Sequence, residues 1–296
     1  MDGKVADINL QPAWKITRGD KKIVIAIIDV GFDDKKLNSS KVYGLHRKDI
    51  LDEFQKKHGS ECARIASSVA QHCTIIPVRV PAGASQKLLS TVFLETAQIA
   101  NVISCSWGPV PSNSPLTGEL FQVIEKVGER SVICFSAGNY NAPINDPYNK
   151  EFFWLDESTN MYQITKGPIL NGYAAHPDVI AVGACTSLNK KAAYSNWGKE
   201  IAVCAPSDNY HPLCRSFGVK GRFTDFGGTS NACPLVAGVA ALMLSANPSL
   251  SPKNIRMILE MTSDKIESFN GKVNAGAAVM LAKKLTQHTS GQFILN

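Results

Sequence analysis

The chain has 296 residues, 44% hydrophobic and 19% charged, with 22 glycines and 15 prolines. This is a globular composition, long enough to bury a core without metal or disulfide staples, and it excludes global disorder and fibrous repeats. The net charge of +6 is thinly spread over isolated pairs such as Lys56-Lys57, Lys190-Lys191 and Lys283-Lys284, so no nucleic-acid partner is expected.

In chain order, apolar β-branched runs alternate with helical periodicity. KIVIAIIDV (22–30) predicts a fully buried strand, residues 58–70 a helix, and TIIPVRV (74–80) a second strand. Residues 86–99 form an amphipathic helix with Leu88, Leu89, Val92, Phe93 and Ala97 on one side. A strand over 101–107, a helix over 117–128 and strands over 131–137, 178–185 and 200–206 follow. The last third is helical: 230–246, a helix opened by Ser251-Pro252, and a short one over 275–285. Two stretches, about 140–173 and about 207–226, lack a period and are expected to be irregular loops. Strands separated by helices argue a parallel sheet covered on both faces, with chemistry beyond the carboxyl ends of its strands.

No run reaches the ~20 apolar residues of a membrane span, and residues 1–11 lack the pattern of a signal peptide. The eight cysteines lie mostly inside apolar runs and are expected to be free thiols. No spacing matches a paired zinc site; His58 with Cys62 comes nearest, and no metal ligands are assigned. A cytoplasmic location is expected, or a secreted one if a leader has been removed.

Four residues stand where elements end or begin. Asp29 closes the first strand, His58 opens a helix before Gly59, Asn139 follows a strand in SAGN, and Ser230 sits where GGTS turns into a helix. Each alone has an ordinary explanation as a cap or turn residue. Together they are what acyl transfer needs. A serine hydroxyl is a poor nucleophile until a base takes its proton, and imidazole suits that task near neutral pH. A carboxylate fixes the imidazole tautomer and stabilises the imidazolium. An Asn amide and a helix N-terminal N–H can receive the oxyanion. The order Asp, His, Ser is a known order for this triad.

These motifs carry a resemblance. Residues 228–238 (GTSNACPLVAG) fit in full the serine motif of the subtilisin-like (subtilase) serine proteases. IAIIDVG, HGSECAR, VISCSWG and VICFSAGN resemble that family's aspartate, histidine, substrate-strand and oxyanion segments, and HPDVIAVGA, AYSNWG and IAVCAP its framework. The resemblance implies one subtilisin-like peptidase domain over 1–296, with a catalytic core of about 13–286 and a variable loop of about 140–173. It implies an α/β fold: a three-layer, doubly wound, mostly parallel sheet flanked by helices. It implies a serine endopeptidase acting on extended polypeptide, with Asp29, His58 and Ser230 as triad and Asn139 in the oxyanion hole. Ser106, Trp107 and Gly108 would pair with substrate as an added strand, and Ser136, Ala137 and Gly138 would form the opposite wall of the pocket for the residue before the cleaved bond. Trp107 would line an apolar subsite or serve as a core aromatic; Asn171 or a neighbour would floor the pocket. The alternative is a catalytically weak or inactive scaffold of this fold that binds peptides or protein partners. A nucleotide binder is disfavoured, since no GxGxxG or GxxxxGK[ST] follows a strand.

The departures from the family pattern are local. Val30 follows the aspartate where the family usually has a residue that can hydrogen-bond, which removes a support for the carboxylate. Arg64 replaces a small residue and stands three after Glu61, at ion-pair spacing. The link between the His58 helix and the next strand, Gln71-His72-Cys73, has no room for the family's calcium loop. No cofactor is therefore expected, though a weaker calcium site through Asp146, Glu151, Asp156 or Glu157 is left open. Only about two dozen residues precede the first strand, fewer than a pro-domain of family size needs; such a segment is expected to have been cleaved, to lie outside this sequence or never to have existed, and a pro-domain or regulatory partner is left open.

Overall fold

The computed structural model describes residues 7–33, 41–42, 55–156, 159–207, 216–217, 223–224 and 226–288. The first half runs α1 (Leu10–Trp14), β1 (Val24–Asp29), β2 (Lys41–Val42), α2 (Gln55–Val69), β3 (Thr74–Arg79), α3 (Gln86–Thr96), β4 (Val102–Cys105), β5 (Asn113–Ser114), α4 (Gly118–Gly128) and β6 (Val132–Ser136). Next come β7 (Asn145–Asp146), β8 (Glu151–Asp156), β9 (Met161–Lys166), β10 (Ile169–Asn171), β11 (Val179–Cys185) and β12 (Ile201–Pro206). The chain continues with β13 (Ser216–Phe217), β14 (Phe223–Thr224), α5 (Thr229–Ala246), α6 (Pro252–Thr262), β15 (Asp264–Ile266), β16 (Phe269–Lys272) and α7 (Ala275–His288).

Nine strands form the main sheet, in the order β15-β16-β12-β11-β6-β4-β1-β3-β2. Every pairing in it is parallel except β15 with β16. Continuous apolar strands suit this position because both faces are covered. In β1, Ile25 and Ile27 face a core with α1, α2, α5, α6 and α7, while Ala26 and Ile28 face a core with α3 and α4. β6 divides likewise, Val132 and Cys134 to the first core and Ile133 and Phe135 to the second. The expected three-layer, doubly wound architecture is the observed one.

From β1 the chain moves outward to β3, then returns to place β4 on the other side of β1. That reversal makes a crevice at the carboxyl ends of β1 and β4, the usual ligand position in such sheets. α5 passes behind it. By length and apolarity α5 could cross a membrane, but 83% of the span lies inside the protein, and that burial accounts for its composition.

The 140–173 stretch departs from the irregular loop expected of it. It holds β7 and β10, which pair with each other and with β5, and an antiparallel hairpin of β8 with β9. The hairpin escaped the sequence reading because its outward positions are apolar: Phe153 faces Ile164 and Leu155 faces Tyr162, all exposed. α1, β15 and β16 were also not anticipated, being short and without apolar runs. The 207–226 stretch lies largely outside the described residues. The seven described cysteines are free, as expected; Cys214 lies outside the described residues.

Candidate active site

Three adjacent central strands deliver the candidate residues to one edge. β1 ends at Asp29, β4 leads into Ser106-Trp107-Gly108, and β6 leads through Ser136-Ala137-Gly138 to Asn139. α2 carries His58, and α5 carries Ser230 as its second residue.

Asp29 is 1% exposed, and both its oxygens are engaged. Nδ1–H of His58 donates to Oδ2 at 2.8 Å. The backbone N–H of Val30 donates to Oδ1 at 2.8 Å. The support that a side chain at position 30 does not supply therefore comes from the main chain. Two forces act on the imidazole. Burial disfavours its charge, but the Asp29 carboxylate beside it prevails, so the pKa of His58 is raised above the ordinary 6.5. Phe226 meets the ring edge-on at 5.1 Å and walls it from one side. Gly59 lets the helix come this close to the strand end. Its N–H donates to the carbonyl of Gly31, and a Cβ there would sit 2.6 Å from that oxygen.

Cys62 lies one turn after His58 on the same helix face, the i, i+4 relation. Its Sγ is 3.9 Å from His58 Nδ1, 4.0 Å from Asp29 Oδ2 and 3.6 Å from the carbonyl of Ser230. This thiol is the common floor of the three candidate triad residues. The sequence reading placed it only in a loose zinc-like pair, and the i+4 spacing was the signal for its true neighbourhood. Asp29, His58 and Cys62 bring three ligand atoms within 4.8 Å of one another. Burial pushes the Cys62 thiol's pKa up, and Nδ1 of His58 is committed to Asp29. Nδ1 of His58 and Oδ2 of Asp29 are thus already engaged with each other.

Ser230 and Ser106 are bonded reciprocally. Ser230 Oγ donates to the carbonyl of Ser106 at 3.1 Å, and Ser106 Oγ donates to the carbonyl of Ser230 at 3.0 Å. The exchange pins the start of α5 to the end of β4. Gly228 precedes the helix at φ 72°, and a Cβ there would lie 2.9 Å from Asn139 Nδ2. Only glycine meets both demands without strain.

Asn139 is oriented by Thr229, whose N–H and Oγ1–H donate to Oδ1 at 2.9 and 2.8 Å. A backbone N–H can only donate, so the atom facing it must be the carbonyl oxygen, and Nδ2 is turned the other way. Thr229 was part of the serine motif but had been given no role of its own. Its Oγ1 also accepts from the N–H of Gly138 at 3.1 Å.

The remaining candidates flank this centre. Ser136 and Ala137 are buried and Gly138 half-buried, while Gly108 is exposed. Trp107 is half-buried and anchored in the core: Nε1–H donates to the carbonyl of Ile28 at 2.8 Å, and the ring meets Phe135 and Tyr173 edge-on. Asn171, at the end of β10, is buried; a Cβ on Gly108 would lie 3.4 Å from its Nδ2. On the outer surface of α2, Arg64 pairs with Glu61 at 2.7 Å, as the spacing implied.

Fold and site together define a class: a doubly wound α/β protein with a carboxylate, an imidazole and a helix-borne serine gathered at the switch point of its sheet. The sequence profile of the subtilase family matches residues 20–287, and the chain belongs to that family. It is 29% identical to the calcium-dependent protease of Nostoc sp. over 91% of this chain and 46% of that protein. It is also 29% identical to thermitase of Thermoactinomyces vulgaris, over 92% of this chain and 93% of that one. The chain spans about half the length of the first of these relatives. Among solved structures, the prenylagaramide maturation protease PagA shares the fold, with a TM-score of 0.67 and 22% identity over 92% of this chain and 98% of the other.

Proposed function

We propose that the chain is a serine endopeptidase that hydrolyses peptide bonds in extended polypeptides. The observation that carries this reading is the Asp29–His58 pair, with one carboxylate oxygen on imidazole Nδ1 and the other on a backbone N–H. Such an arrangement fixes the tautomer and leaves Nε2 as the basic nitrogen. Substrate would lie as an added strand along Ser106-Trp107-Gly108, with Ser136-Ala137-Gly138 opposite. For attack, the Ser230 hydroxyl turns from the Ser106 carbonyl towards Nε2. Oγ bonds to the scissile carbonyl carbon as its proton passes to His58. The oxyanion receives the N–H of Ser230 and Nδ2 of Asn139. His58 then gives the proton to the leaving amine as the C–N bond breaks. Water repeats the sequence on the acyl-enzyme, releasing the acid and restoring Ser230.

The residues towards which this assigns roles need no bound ion for any of these steps. The test is labelling by a fluorophosphonate probe, read by mass spectrometry. Labelling at Ser230 in the parent protein and none in Ser230→Ala is expected, with peptide hydrolysis falling by several orders of magnitude. A parent protein that folds but neither labels nor cleaves would make the chain a peptide-binding scaffold instead.

A further inference from the structure

Asn139 stands on a short turn after β6, and its use depends on how that turn is held. The hydrogen bonds of one side chain surround it. Asn196 Oδ1 accepts from the N–H of Tyr140 at 2.9 Å and from the N–H of Ala142 at 3.0 Å. Asn196 Nδ2 donates to the carbonyl of Ala137 at 2.9 Å. The backbone N–H of Asn196 donates to the carbonyl of Gly138, also at 2.9 Å. Four main-chain groups on both sides of Asn139 thus converge on one residue, which is 4% exposed. Two N–H donors meet the same oxygen and a carbonyl meets the nitrogen, so the amide has only one satisfactory orientation.

We infer that Asn196 is a positioning residue for the oxyanion hole, acting through the turn that carries Asn139. This rests on the endopeptidase reading. The geometry of the turn supports it independently. Gly138 has φ 105°, a conformation that glycine adopts readily and other residues rarely do. A Cβ at that position would lie 2.5 Å from Asn196 Nδ2. The turn is therefore folded tightly over the amide, with no side chain between them. Asn196 is itself held. Ser195 Oγ donates to the carbonyl of Asn196 at 3.0 Å while accepting from the N–H of Ala184 at 3.0 Å. This chain of contacts runs from β11 through Ser195 and Asn196 to the residues beside Asn139. Truncating Asn196 removes the acceptor of two backbone donors, the Ala142 one buried and the Tyr140 one half-buried, and the donor to Ala137. The turn must then find other partners, and Nδ2 of Asn139 moves with it. A preorganised donor has its value only where the oxyanion will stand, and small misplacements are expensive.

The experiment compares Asn196→Ala with the parent, in steady-state kinetics and in the Asn139→Ala background. Asn196→Ala is expected to lower kcat by about 10- to 100-fold, with KM changed less than about twofold. In the Asn139→Ala background the same change should lower kcat by less than about threefold, because the group being positioned is already gone. Equal losses in both backgrounds, a rise in KM alone, or a parent-like kcat would overturn the inference. Should Asn196→Ala not fold, Asn196→Ser, which keeps a short hydroxyl, carries the same comparison. A readout that needs no turnover is the side-chain amide resonance of Asn139 in the Ser230→Ala protein. It is expected to shift when Asn196 is truncated, and an unshifted resonance would overturn the role. Failure of the parent to label or cleave would count against the endopeptidase reading, and the resonance would still decide whether Asn196 positions Asn139.

Discussion

The end of the sheet that gathers Asp29, His58 and Ser230 and the hairpin of β8 and β9 are built on opposite plans. At the sheet edge, Asp29 and Thr229 are each 1% exposed, and most polar atoms have a named protein partner. On the hairpin, Phe153 is 62% and Tyr162 77% exposed, and only the inner side is tied down. There Trp154 packs against Tyr140 and bonds to Thr165, whose hydroxyl donates to the carbonyl of Pro111. The hairpin thus bridges the segments that follow Asn139 and Gly108, yet its outer face contributes little to the core. Side chains are held from several directions at the sheet edge, and from the inner side on the hairpin.

If this contrast is right, removing one donor at the sheet edge should have a large effect. Asn139→Ala should lower kcat by about 10²–10³, with little change in KM, because on the proposed mechanism its amide would meet charge only as the oxyanion forms. Steady-state kinetics on a peptide substrate measures it. A rise in KM with kcat intact would place Asn139 in ground-state contact and remove the oxyanion role.

The Asp29–His58 pair offers the next test. On the proposed mechanism His58 must be neutral to accept the serine proton, and the Asp29 carboxylate, prevailing over burial, raises its pKa above 6.5. The acid limb of kcat/KM should therefore lie above pH 6.5 and move to lower pH in Asp29→Asn, with a large loss of rate. Stability runs the other way. The contribution from this pair is fully present below the unfolded value and is lost as pH rises through the raised folded value. A parent limb at or below 6.5 would show that burial outweighs the carboxylate, and a limb that does not move in Asp29→Asn would show that Asp29 does not act on the imidazole.

How much of this was legible in the sequence follows from the same contrast. β1, β4 and β6 were readable because burial on both faces demands unbroken apolar runs. The candidate triad residues Asp29, His58 and Ser230 stood out because each lies near a glycine where such a run ends or a helix begins. Cys62 and Thr229 lay inside recognised motifs, but their roles depend on distances across the chain. Asn196 is more distant still: nothing in AYSNWG states that its amide will close on residues 137–142. The hairpin was missed because Phe153, Leu155, Tyr162 and Ile164 put apolar residues on a solvent face, which erases the alternation that marks a half-buried strand.

Stability should separate the two faces of the hairpin. Trp154→Ala removes an indole that is 8% exposed and should cost about 3 kcal/mol in urea unfolding. Phe153→Ser, on the outer face, should stay within about 0.5 kcal/mol. Equal costs would mean that the outer face packs on something, and the contrast between the regions would fail.

The smallest effect is expected from a chelator. α2 ends at Val69 and β3 begins at Thr74, so only residues 70–73 lie between them. Calcium takes six to eight oxygen ligands, usually from a loop folded for the purpose. The other acids considered belong to the hairpin region and are spread along it. Asp146 Oδ1 accepts from the N–H of Tyr148 at 3.0 Å, and Glu151 is exposed at the start of β8. Asp156 stands at the far end of β8, and Glu157 lies outside the described residues. Glu151 and Asp156 are a strand's length apart and cannot share an ion with each other. EDTA should therefore move the melting temperature by no more than a degree or two. A fall of about ten degrees or more, restored by calcium, corresponds to several kcal/mol for a chain of this size. That result would show an ion holding the structure together, and the region around Asp146 would have to be counted with the fixed part of the molecule.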